Sequence, residues 1–136
     1  MVIMAIDLGH VRTGVAVSDP MEMIAYPVGT ITERKDEVLL EKLAVLAKEK
    51  CAEMLVVGLP RNMDGSCGES AQRCQRLGEQ LGDMAGLPVT FWDERLTTVS
   101  AIGFLNRTDT RGKKRKAVID TVSAMIILED FLRSRK

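Results

Sequence analysis

The chain has 136 residues, 46% of them hydrophobic and 28% charged, a length and balance that suit an ordinary soluble globular protein with one core. Nineteen basic and nineteen acidic residues cancel, so net charge singles out no partner, although a neutral chain can still carry a basic stripe. The sequence holds no apolar run of about eighteen residues and no cationic leader ahead of an apolar segment, so neither a membrane span nor a signal peptide is expected.

Residues 2–6 are apolar throughout and read as a buried strand, with Asp7 at its far end. HVRTG forms a tight turn. Residues 14–18 (GVAVS) form a second strand, antiparallel to the first because the link is far too short for a crossover. Ile24, Tyr26, Val28, Thr30 and Ile31 mark a third strand over 24–31, where Pro27 and Gly29 point to an edge or a bulge. The period then changes: Leu39, Leu40, Leu43, Leu46 and Ala47 follow helical spacing over 36–50. EMLVVGLP is a short buried strand ending at Gly58 and Pro60. A helix over about 66–85 follows, with Ala71, Cys74, Leu77, Leu81 and Met84 on one face. LPVTFW is the next strand and runs directly into DER at 93–95. A helix is expected over 98–106, a polar loop over 107–116 and a last helix over 117–133. This order predicts an α/β fold in a single domain over 1–136: a mixed five-stranded sheet, three antiparallel strands and then parallel ones, with helices on both faces.

Cys51, Cys67 and Cys74 make an odd count without a CxxC, which fits neither a disulfide framework nor a zinc site. Reduced thiols in a cytosolic protein are expected.

Three acids stand where strands and helices change over. Asp7 ends the first strand, Glu94 follows the last, and Asp120 opens the last helix. A helix acid can serve its own N-terminus, and Glu94 alone could be a surface residue. Asp7 is harder to set aside, because a carboxylate ending an all-apolar central strand must be wet, paired or metal-bound, or it costs several kcal/mol. In a mixed sheet the C-terminal ends of the first strand and of the later parallel strands share one edge, where ligand sites form. Asp120, Ser123, Ala124 and Ile127 fall on one helix face, and the small residues at 123 and 124 let that helix lie close to the sheet. Three clustered carboxylates repel unless a cation sits among them, and hard oxygen donors favour Mg²⁺ or Mn²⁺ over zinc.

AIDLGHVRTGVAVSD, VVGLPRNMDGSCGES, WDERLTT and KAVIDTVSAMIILEDFL together resemble the YqgF/RuvX family, along essentially the whole chain and in the same order. The resemblance implies a ribonuclease H-like fold. It also implies a nuclease, described either as a Holliday-junction resolvase or as the enzyme that matures the 5′ end of pre-16S ribosomal RNA. Matched residue by residue, its acidic trio is Asp7, Glu94 and Asp120, which would be both catalytic residues and metal ligands. Related resolvases often carry two acids at D-x-x-D on the last helix; here the second position is Ser123, which leaves open whether one or two metals bind. In the implied chemistry, metal ions flank the scissile phosphate, one aiding an attacking water and one the leaving 3′ oxygen, with Asp7 as the bridging ligand. His10, the sole histidine, reads as a polar turn residue.

RTDTRGKKRK, just before Asp120, holds Arg107, Arg111, Lys113, Lys114, Arg115 and Lys116 against one acid, Asp109. This is the strongest local charge in a neutral chain and is placed to bind a nucleic-acid backbone beside the site. Aromatics make up 4%, so base stacking on a platform is not expected. Arg12 in the first turn is a candidate phosphate contact, as is Arg61 in GLPRNMDGSCGES, where Ser66 or Ser70 is expected to cap the following helix. The expected partners are structured RNA or branched DNA and a ribosomal particle, with no membrane, for a cytoplasmic monomer or weak dimer. Cleavage of four-way DNA and a non-catalytic nucleic-acid-binding module are the competing readings. A nucleotide-binding fragment of the actin and sugar-kinase type is a third, suggested by DLGHVRTG alone.

Overall fold

A computed structural model of the chain describes residues 1–60, 68–93 and 112–135, with the backbone alone over 112–120. The first strand, β1 (Ile3–Asp7), takes in Asp7 as its last member. β2 (Arg12–Ser18) and β3 (Ala25–Thr32) follow as antiparallel neighbours, with Ala5 opposite Ala16 and Thr13 opposite Ile31. Helix α1 (Asp36–Glu49) crosses to β4 (Met54–Leu59), which pairs with β1 in parallel. Helix α2 (Glu69–Ala85) crosses again to β5 (Val89–Asp93), parallel to β4. The sheet order is β3-β2-β1-β4-β5, so the first strand lies at the centre, where an all-apolar segment belongs. The last helix, α3, runs from Gly112 to Ser134.

Strand alternation divides β1 between two cores. Met4 and Ile6 join Val15, Leu39, Leu43, Leu55, Val57, Leu77 and Leu81 beneath α1 and α2. Ile3 and Ala5 join Ala16, Ala25, Val56, Ala124, Ile127, Leu128 and Phe131 beneath α3. That second face carries alanine on β1, β2 and β3, and alanine again on the helix, so α3 lies close and packs chiefly on β2 and β3. The predicted sheet with helices on both faces is the observed one.

The third strand is an edge, and its register with β2 shifts between Val15 and Ala16, opposite Gly29 and Pro27. Both expectations for that strand hold, because Pro27 has no N–H to give a neighbour. On the other side, α2 sits so close to β5 that a Cβ at Gly78 would come within 2.7 Å of the Phe91 ring. Ser70 does not cap α2: it lies inside the helix, whose N-cap is Gly68 with no side-chain cap, and Ser66 is outside the described residues. The expected helix over 98–106 also falls outside them.

Candidate active site

Asp7 is the partly exposed end of a strand whose preceding four residues are fully buried. Alternation from Ile3 and Ala5 puts it on the α3 face of the sheet. Pairing then defines its neighbours. Asp7 lies opposite Gly14, and Gly14 opposite Thr30. On the other flank Ile6 pairs with Val57, so the next step along β4 is Gly58, which pairs with Trp92. A row therefore crosses all five strands as Thr30, Gly14, Asp7, Gly58, Trp92. In register, the carboxylate has a glycine on each side, Gly14 and Gly58.

The turn after Asp7 is tight. A Cβ at Gly9 would run into the Arg12 carbonyl, and the Gly9 N–H points at the Thr13 hydroxyl at 3.5 Å. His10 is exposed on this turn, as a polar turn residue should be. Arg12 opens β2, half-buried and paired with Thr32, so it belongs to the sheet rather than to the turn.

α3 meets the row from above. Ala124 and Ile127 are fully buried against the sheet, and helical repeat places position 120 on the same stripe. One residue on, the Thr121 hydroxyl and the Thr30 hydroxyl share a hydrogen bond of 2.8 Å. The backbone of residue 120 thus stands beside the β3 end of the row that holds Asp7. β5 runs parallel to β1 through β4, so its end at Asp93 emerges at the Asp7 edge; Asp93 itself pairs with Leu59 and alternates away from Trp92. Glu94, the next residue, lies outside the described residues, as do Arg61, Arg111 and the Asp120 side chain. Among the described residues no three His, Cys, Asp or Glu side chains form a metal-binding group.

One expectation is corrected. Lys113, Lys114, Arg115 and Lys116 do not stand in a loop before the last helix: α3 begins at Gly112, and all four occupy its first turns. Lysine and arginine are good helix formers, and an absent apolar period does not by itself mark a loop. Four cations there oppose the helix dipole, an arrangement that a bound anion would offset. Sequence reading also passed over Gly14, Gly58, Thr30 and Thr121. Each matters through a partner on another strand, and a single segment carries no record of that register.

Other acids serve the scaffold. Asp19 accepts the N–H groups of Ile24, Met23 and Met21, which hold its carboxyl below the usual range, at the sheet end away from Asp7. Cys74 is buried and Cys51 exposed, and Cys67 lies outside the described residues. No helix among the described residues is long and apolar enough to cross a membrane.

A family model described as "RuvX: Holliday junction resolvase" matches residues 1–134. Proteins of Bacillus thuringiensis and Bacillus anthracis named "Putative pre-16S rRNA nuclease" are 39% identical over 137 residues, covering 99% of this chain and all of theirs. Among solved structures, RuvC of Thermus thermophilus in complex with a Holliday junction superposes with a TM-score of 0.65 at 13% identity, covering 99% of this chain and 95% of that one. The fowlpox virus Holliday junction resolvase gives 0.61 at 9% identity over 98% and 99% of the two chains. These structures share the ribonuclease H-like fold expected from the sequence. With a match along nearly its whole length and relatives at this identity, the chain belongs to the RuvX family of nucleases, hydrolases of phosphodiester bonds.

Proposed function

We propose that this protein is a divalent-metal-dependent endonuclease that acts in maturing the 5′ end of pre-16S ribosomal RNA. The observation that carries the reading is the Asp7 carboxylate at the sheet edge, with Gly14 and Gly58 beside it in register. Such a carboxylate fits a hard cation, since oxygen donors suit Mg²⁺ or Mn²⁺ and the flanking glycines leave room for its coordination sphere. The proposed ligands and catalytic residues are Asp7, Glu94 and Asp120. The metal, when bound, supplies Lewis-acid activation of water and charge stabilisation at the scissile phosphate. The chain's part is positioning: β1 fixes Asp7 within the centre of the sheet, and Asp120 on α3 and Glu94 after β5 are proposed to complete the site at that edge. Arg12, Arg61, Arg111 and the helical cations Lys113, Lys114, Arg115 and Lys116 are proposed to hold the substrate backbone through its phosphates. The cytoplasm and a ribosomal particle complete the reading.

Cutting of four-way DNA is the second reading, favoured by the family description and by the fold shared with RuvC. Paired cuts would require a dimer. The test is cleavage with Mg²⁺ or Mn²⁺ of a 5′-extended small-subunit ribosomal RNA fragment and of a four-way junction, by wild type and Asp7→Asn. Metal-dependent cutting of the RNA, reduced about a hundredfold or more in the variant, is expected, since even outer partners of a metal site cost ~10–100-fold. Cutting of the junction alone would select the resolvase. Cutting of neither, with binding kept in both proteins, would leave a non-catalytic binding module.

A further inference from the structure

The link between β3 and α1 stands at the same sheet end as Asp7, on the far side of the β1–β2 turn. Its backbone is held at three points. The Glu33 N–H donates to the Val11 carbonyl at 2.8 Å, extending the β2–β3 ladder by one step. The Glu33 carboxylate accepts the N–H groups of Arg34 and Lys35 at 3.1 and 3.2 Å, and the Lys42 ammonium at 3.1 Å. Those bonds, the Lys35 N–H foremost, hold the Glu33 carboxyl below its ordinary range. Asp36, the first residue of α1, is taken by Arg73 at 2.7 Å.

Two of the three acids around this link are therefore matched by cations from elsewhere, Lys42 and Arg73. Glu37, exposed in the first turn of α1, is the third and has the helix dipole in its favour. Arg34 and Lys35 are exposed, and among the described residues neither side chain makes an ion pair or a hydrogen bond. Two cations on a fixed backbone, with the nearby acids occupied, form a ready phosphate contact, because little conformational freedom is given up on binding. The link lies two strands from Asp7, about 10 Å to the side at ~4.8 Å per strand, and Arg34 is four positions beyond Thr30, about 13 Å further along at ~3.3 Å per residue, so it suits a phosphate a few nucleotides from the cut.

We propose that Arg34 and Lys35 form a further contact site for the substrate's phosphodiester backbone, on the β3 side of the candidate active site. This rests on the nuclease reading above, and its mark is electrostatic: removing one cation that neutralises a phosphate lowers the slope of log binding constant against log salt by about 0.7–0.9.

The experiment measures binding of the 5′-extended ribosomal RNA fragment in EDTA, by fluorescence anisotropy across a salt series, for wild type and three double variants. Arg34→Gln/Lys35→Gln is expected to lower the slope by about 1.4–1.8, to weaken binding on the order of tenfold, and to raise KM with kcat kept. Arg34→Lys/Lys35→Arg is expected to keep the wild-type slope. Lys48→Gln/Lys50→Gln removes the same charge at the opposite end of α1 and is expected to leave the slope within about 0.3 of wild type, well under the change that one phosphate makes. An unchanged slope in Arg34→Gln/Lys35→Gln, beside a salt-dependent wild type, would overturn the proposal alone. So would an equal fall in the Lys48→Gln/Lys50→Gln control. Wild type failing to bind the RNA at all would overturn the ribosomal-RNA reading and, with it, this proposal as a contact to that substrate.

Discussion

Gly14 and Gly58 flank Asp7 in register, and the proposed metal site needs the space they leave. Gly14→Val would insert a branched side chain between Asp7 and Thr30 on the α3 face. The expected result is a protein with unchanged far-ultraviolet circular dichroism, a cleavage rate down about a hundredfold, and a higher metal concentration at half-maximal rate. Wild-type cleavage with normal metal dependence would show that the row is not the metal's setting. Asp7 was legible in the sequence because a carboxylate ending an all-apolar run has few cheap explanations. Its glycine neighbours were not, because Gly14 in GVAVS looks like any strand-opening glycine until β1 and β2 are put in register. Thr30 and Thr121 were hidden for the same reason, being ninety-one residues apart in the chain and 2.8 Å apart at their hydroxyls.

At the scale of elements, the strand directions followed from spacing and connection length, whereas the order β3-β2-β1-β4-β5 needed the structure. A link too short for a crossover forces β1 and β2 antiparallel, and the helix that separates β4 from β5 allows them to run parallel. What the sequence obscured was where α3 starts, since Lys113 to Lys116 look alike in a loop and in an exposed helical turn. Two contacts fix how the helices sit on the sheet. Gly78→Ala would drive a methyl into the Phe91 ring and should cost ~1–3 kcal/mol in urea unfolding, with Tm falling in step. A neutral result would mean that Phe91 swings aside freely. Thr121→Val removes the bond from α3 to the edge strand and should cost about 1 kcal/mol, with Thr121→Ser recovering most of it. Destabilisation by serine with valine left neutral would assign the effect to packing of the methyl group instead.

For the whole molecule, stability should follow the carboxylates that the fold holds in their charged form. Asp19, through the N–H of Ile24 first, Glu33, through the N–H of Lys35, and Glu22, through Arg135, all lie below their ordinary ranges. A carboxyl whose folded pKa is depressed stabilises fully above its unfolded value near ~4 and loses that contribution as pH falls through the lower folded value. The urea midpoint should hold level from neutral pH down to about 5 and decline below about 4. Asp19→Asn should decline less steeply over the same acid range, and matching profiles would remove Asp19 from the account. Glu22 has a second consequence. It binds the Arg135 guanidinium at 2.6 Å, and Arg135 lies over Phe131, whose ring meets Trp92 edge-on at 6.0 Å. Through Arg135 and Glu22 the last turn of the helix is thus tied at the sheet end remote from Asp7, like a beam built into a wall. Residue 120 stands fifteen positions from Arg135, about 22 Å along the axis at 1.5 Å per residue. A tilt of roughly 3° at the clamp would move that point by about 1 Å, twice the ~0.5 Å that productive geometry tolerates. The Thr30–Thr121 bond acts as a prop far from that anchor, where a small restraint has a long lever arm.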